Sequence, residues 1–164
     1  MDLVARHRFG ASAERVTAAL VDPDFAPELV NVLDVGGVEV IDAGRDGTDG
    51  WLAVRLTYDG SLDPVAARIL GSSNPTWVQT YRVDRSRCTG RLTIEPDHHG
   101  SLLTCSAEVA VVDRPDGCER NLRGALSVHV PLLGGRAERA LGPAILARID
   151  AEAALLDDWL NRTP

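Results

Sequence analysis

Apolar and polar residues alternate with a period of two along most of this chain, and only near its end does the period lengthen to about 3.6. Leu3, Ala5, His7 and Phe9 share one side of the first segment, and Val4, Arg6 and Arg8 the other. That is the pattern of a strand with one buried face. Gly10 ends it. Ser12 stands where a helix N-cap belongs, ahead of Val16, Ala19 and Leu20. Asp22-Pro23 then predicts a second short helix with proline at its first position, running through Phe25, Leu29, Val30 and Leu33.

From Val35 the period returns to two. Val38 and Val40 begin a strand that ends in the turn-rich stretch 43–50, and residues 51–58 return from it, with Leu52, Val54, Leu56 and Tyr58 on one face. Residues 63–70 read as a helical turn, closed by the breaker 71–75. Four further strands follow at 76–83, 89–95, 102–112 and 120–130, with connections that suit hairpin loops. The last segment, 132–160, is rich in Ala, Leu, Arg, Glu and Asp, with Leu141, Ile145, Ile149, Ala153, Leu156, Trp159 and Leu160 on one side. A helix of that length spans about 40 Å. Gly142-Pro143 predicts a kink or restart near Leu141, with the segment before it free to act as a lid.

The order is β-α-α-β6-α, an α+β chain in which six hairpin-linked strands must run antiparallel. A seven-stranded sheet that buries one face against one long helix curls around it. At 164 residues the chain is expected to form a single domain over 1–164.

Composition narrows the function classes. A hydrophobic content of 45% and a charged content of 25% are ordinary for a globular chain. A net charge of −7 argues against a nucleic-acid surface. The cationic side chains are all arginine and are spread along the sequence, so no phosphate-binding cluster stands out. Cys88, Cys105 and Cys118 show no C-x-x-C spacing and are odd in number, which predicts free thiols rather than a disulfide or zinc framework. No run of eighteen apolar residues is present, so integral membrane association is not expected, and a soluble, cytoplasmic protein is.

Phe9-Gly-Ala-Ser-Ala-Glu-Arg-Val16 and Ser127-Val-His-Val-Pro-Leu-Leu-Gly-Gly135, on either side of the strand meander, carry a resemblance. The chain resembles the START-like, helix-grip superfamily of polyketide cyclases and aromatases, lipid-transfer domains and birch-pollen-allergen-like proteins, in an uncharacterised bacterial branch. The resemblance implies a curved sheet gripping the C-terminal helix. It also implies a tapered, largely apolar cavity between them, and a filled core with no pocket above about 300 Å³ would count against small-molecule binding. The implied partner is a hydrophobic or amphipathic small molecule, lipid-like or polyketide-like, bound without cofactor or metal. A cyclase or aromatase enzyme and a protein-interaction scaffold with a filled core stay open as alternatives, as does homodimer formation.

Residues facing such a cavity form the candidate ligand-binding set: His7, Phe9, Trp77, Tyr81, Leu103, Ile145, Arg148 and Glu152. Trp77, Gln79 and Tyr81 share one strand face and offer aromatic bodies with polar tips. Arg148 and Glu152, spaced i, i+4, fall on a border of the apolar stripe of the long helix. Either they form a flanking salt bridge over the sheet edge, or they anchor a ligand carboxylate, phosphate or hydroxyl. His98-His99 reads as a polar turn. His129, on the face of Ser127, points outward unless a bulge reverses it. No catalytic or nucleotide-binding motif is present.

Overall fold

The structure, a computed structural model, describes residues 1–71 and 74–164; residues 72 and 73, inside the expected breaker 71–75, lie outside the described set. Seven strands form one antiparallel sheet in the order β1-β7-β6-β5-β4-β3-β2. They are β1 (Asp2–Phe9), β2 (Val35–Asp46), β3 (Asp49–Tyr58), β4 (Thr76–Asp84), β5 (Thr89–Pro96), β6 (Leu103–Arg114) and β7 (Gly117–Val128). Helices α1 (Ala13–Ala19) and α2 (Pro64–Leu70) are short, and α3 (Gly134–Arg162) is long. The curved sheet grips α3, the α+β helix-grip arrangement expected from the alternation.

Alternation decides what each strand buries. In β3 it is Leu52, Val54 and Leu56, in β5 Leu92 and Ile94, and in β6 Leu103, Cys105, Ala107 and Val109. These inward side chains meet Leu141, Ile149, Ala153, Leu156 and Leu160 of α3. At about 25 cal/mol per Å² of apolar surface, each such leucine or isoleucine contributes about 1.5–3 kcal/mol. The two ends of α3 are tied down separately. Glu138 Oε1 accepts from Val128 N at 2.9 Å, and the Arg15 guanidinium donates to Leu160 O at 3.2 Å and Thr163 O at 2.8 Å. A Cβ on Gly134 would collide with Val128 O, so glycine lets the helix begin directly against β7.

Four local expectations are corrected. The second helix does not start at Pro23: a 3-10 helix spans Ala26–Asn31, with Pro27 in its first turn. Pro27 has no N–H and disfavours α geometry before it, so the segment buries Phe25 and Leu29 but leaves Val30 and Leu33 exposed. The β2–β3 hairpin is tighter than the glycine-rich stretch suggested, pairing as far as Asp46 and Asp49, with Gly47 at φ +59° in the turn. β7 begins at Gly117 and ends at Val128, which leaves His129 exposed just beyond it, its Nε2 3.2 Å from Thr104 Oγ1. Finally, α3 starts at Gly134 rather than Leu132 and runs through Pro143 without a restart.

Candidate functional site

Between α3 and the β3–β6 side of the sheet lies a cleft of about 210 Å³, bordered by α2. Its walls are mainly apolar: Leu62, Ala66, Trp77, Ile94, Leu103, Leu141 and Ile145 among them, with Tyr58 and Asp63 bringing polar groups and Arg148 the cation. The volume falls short of about 300 Å³. A larger depression of about 440 Å³ lies on the outer face of the sheet, around Trp51, Arg82, Arg91 and Glu108. Of its polar walls, Arg91 pairs with Glu108, and Trp51 Nε1 donates to Asp42 outside the depression; it is not the cavity between sheet and helix.

Behind the cleft the sheet–helix interface is polar where an apolar core would be expected. Glu152, 1% exposed, projects from α3 onto β4. Its Oε2 accepts from Gln79 Nε2 at 2.7 Å and its Oε1 from Tyr81 OH at 2.8 Å. Arg120 of β7, 0% exposed, places Nη1 3.7 Å from Glu152 Oε1 and 3.4 Å from Tyr81 OH. Arg148 Nη1 donates to Gln79 Oε1 at 2.5 Å and lies 3.7 Å from Glu152 Oε2. The guanidinium of Arg148 stacks 5.4 Å from the centre of the Trp77 ring, a cation–π geometry. Arg148 and Glu152 are therefore no flanking salt bridge over the sheet edge. They are inside, because β4 supplies Gln79 and Tyr81 as partners that make burial of the charge tolerable.

His7 closes the far end of this cluster. Arg120 donates to His7 Nδ1, with Nη2 3.2 Å and Nε 3.4 Å away, so Nδ1 must carry a lone pair. Nε2 then holds the proton and donates to Asp150 Oδ1 at 2.8 Å. The imidazole is thus held neutral: burial first, and then the Arg120 charge, lower its pKa. Burial, followed by the Glu152 charge, raises the Tyr81 phenol well above its usual range. Burial pushes the Cys105 thiol up to about 11 and lowers the pKa of Arg148.

Of the eight residues expected at a ligand, Trp77, Leu103, Ile145 and Arg148 line the cleft. Tyr81 and Glu152 sit behind Arg148 in the hydrogen-bonded cluster, His7 lies at the cluster's outer end, and Phe9 is buried in the core with Arg120 stacked 5.8 Å from its ring. Arg120 and Gln79 complete the cluster without having been picked as site residues. Both carry a sequence signal: Arg120 has the parity of Leu122, Leu126 and Val128, and Gln79 that of Tyr81 and Val83, so each polar residue falls on an inward-facing register.

Comparison with known families bears on the same architecture. A family described as a protein of unknown function, DUF2505, matches residues 5–160. The chain belongs to the DUF2505 family. No curated protein sequence matches it. Among solved structures it is similar to the protein TTHA0849 from Thermus thermophilus, at 14% identity and a TM-score of 0.65, covering 100% of both chains. It is also similar to the ZhuI aromatase/cyclase from a Streptomyces species, strain R1128, at 14% identity and a TM-score of 0.64, covering 99% of this chain and 94% of that one. A START superfamily protein from Mycobacterium smegmatis is similar at 14% identity and a TM-score of 0.56, covering 99% of both chains. Identities this low carry the fold alone, and the fold is the START-like helix grip. No helix among the described residues is long and apolar enough to cross a membrane.

Proposed function

We propose that this protein binds a small amphipathic molecule non-covalently in the cleft between α3, α2 and the sheet. The observation that carries the reading is the lining itself: apolar side chains from α2, β4, β5, β6 and α3 converge on one space whose cation, among the described residues, is Arg148, its side chain 11% exposed. Pockets that bind small molecules pair such apolar walls with a few placed polar groups. The cleft volume favours a ligand smaller than a lipid or a polyketide, one ring or a short chain. Three free cysteines agree with a cytoplasmic setting.

A second reading, catalysis of the cyclase or aromatase type, is favoured by the polar groups converging behind the cleft and by the likeness to an aromatase/cyclase. It is the weaker of the two. Tyr81 is held as a donor to Glu152 and His7 as a donor to Asp150, and neither lines the cleft.

The test uses Ala144, an exposed α3 residue on the cleft wall. Protein purified from its source organism is weighed by native and by denaturing mass spectrometry. A retained small molecule is expected with the wild type and its loss with Ala144→Phe, whose stability changes by no more than about 0.5 kcal/mol because the position is at the surface. Retention of the same mass by Ala144→Phe would move the site elsewhere.

A further inference from the structure

The buried cluster does not balance its charge. Arg120 and Arg148 are both cations, and both lean on the single carboxylate of Glu152, each at 3.7 Å. His7 is neutral by its hydrogen bonds, and Tyr81 keeps its proton to donate to Glu152. Asp150 faces His7 from the outer end, where its side chain is 64% exposed. Among the described residues, one guanidinium charge inside the cluster is left without a counterion.

The unused donors point to which one. Arg148 Nη2 and Trp77 Nε1 are buried and have no acceptor among the described residues. Arg120, by contrast, spends its nitrogens on His7, Tyr81 and Glu152. Arg148 and Trp77 both line the cleft, and they are stacked on one another. A surplus positive charge and two N–H groups without acceptors therefore coincide at the cleft wall. Natural structures rarely leave buried donors in that condition.

Resting on the small-molecule reading above, we propose that the ligand of this cleft is a carboxylate monoanion with a short apolar tail. The carboxylate accepts from Arg148 Nη2 and Trp77 Nε1 and supplies the missing negative charge, and the tail lies against Leu103 and Ile145. A guanidinium fork suits a planar carboxylate. A phosphate monoester, carrying about −1.5 to −2 at neutral pH, would overshoot a surplus of one charge. Both nitrogens are shut off from bulk water, so the head group reaches them from the cleft side as the Trp77 and Ile145 side chains give way.

Three probes of one tail length separate the head group from the tail: hexanoate, 1-hexanol and hexylamine, titrated calorimetrically and by the ¹⁵N–¹H resonance of the Trp77 indole, assigned with Trp77→Phe. Hexanoate is expected to bind at least about tenfold more tightly than 1-hexanol, the gain that one charge-assisted hydrogen bond supplies, and hexylamine more weakly than either. The indole resonance should move with hexanoate. Arg148→Gln should bring hexanoate down to the level of 1-hexanol while leaving 1-hexanol within about threefold. Equal affinity of the wild type for hexanoate and 1-hexanol overturns the head-group assignment and leaves the small-molecule reading standing. Failure of all three probes at millimolar concentration overturns both. If Arg148→Gln does not fold, the wild-type affinity order and the indole shift decide alone.

Discussion

Glu152 offers the most direct test of the buried cluster. Glu152→Ala removes the one carboxylate that faces Arg120 and Arg148 and that accepts from Gln79 and Tyr81. Breaking a buried ion pair by deleting one partner costs about 3–5 kcal/mol, because the remaining charge stays buried without compensation. The freed Gln79 and Tyr81 donors belong to the same loss and are not added to it. Against a typical total stability of about 5–15 kcal/mol, the variant should lose about a fifth or more, and its melting temperature should fall by about 6–20 °C at about 2–4 °C per kcal/mol. Urea unfolding measures the first quantity and calorimetry the second. Glu152→Gln keeps an oxygen for Tyr81 and should fall between the two proteins. Arg120→Met combined with Glu152→Leu should be more stable than the summed single variants by about 0.5–3 kcal/mol, the coupling expected of residues in contact. A Glu152→Ala variant within about 1 kcal/mol of wild type, or an additive double variant, would refute the account of Glu152 as a buried counterion.

Other expectations are independent of that one. The His7 pKa lies below its ordinary 6.5 in the folded protein, so the unfolded chain takes up the proton first as pH falls. Its contribution to stability is complete above 6.5 and is lost progressively below it; urea midpoints should drop between pH 7.5 and 5.5, and His7→Gln should flatten that slope. Thiol labelling at pH 8 should find Cys88, which is half-buried, and miss Cys105 and Cys118, which are buried with thiols pushed up to about 11; rapid labelling that survives Cys88→Ser would contradict this. Pro143 sits exposed inside α3. Pro143→Ala restores a helical N–H and should raise stability by about 2 kcal/mol, about 3 from helix propensity less about 1 from the freer unfolded chain; a loss of stability would show that the proline is built into the packing.

The sheet was legible because its strands alternate cleanly. Leu52, Val54 and Leu56 read as one face and are one face, and the hairpins left no choice but antiparallel order. What periodicity does not reveal is the sign of a border. Arg148 and Glu152 stand at the edge of the apolar stripe, and the helical wheel alone allows either a solvent-facing pair or an inward one. The answer sits seventy residues away in Gln79 and Tyr81, whose side chains make burial tolerable, and in Arg120, whose charge shares the carboxylate. Recognising an arginine at an inward register of β7 would have pointed to a buried anion. The short second helix failed for a local reason: Pro27 removes the N–H that an α-helix needs there, and 3-10 geometry takes over.

The pairing of β1 with β7, from Asp2↔Ala125 to Phe9↔Cys118, has a consequence for how the chain is made. At about 5–20 residues per second, β1 leaves the ribosome roughly 5–20 s before its neighbour in the sheet exists. Throughout that interval Leu3 and Phe9 have no strand to lie beside, and the hairpins from β2 to β6 can assemble without them. Closure of the sheet is therefore the late, non-local step, of the kind that folds slowly. The earliest of these seven strands to be synthesised is among the last to find its place.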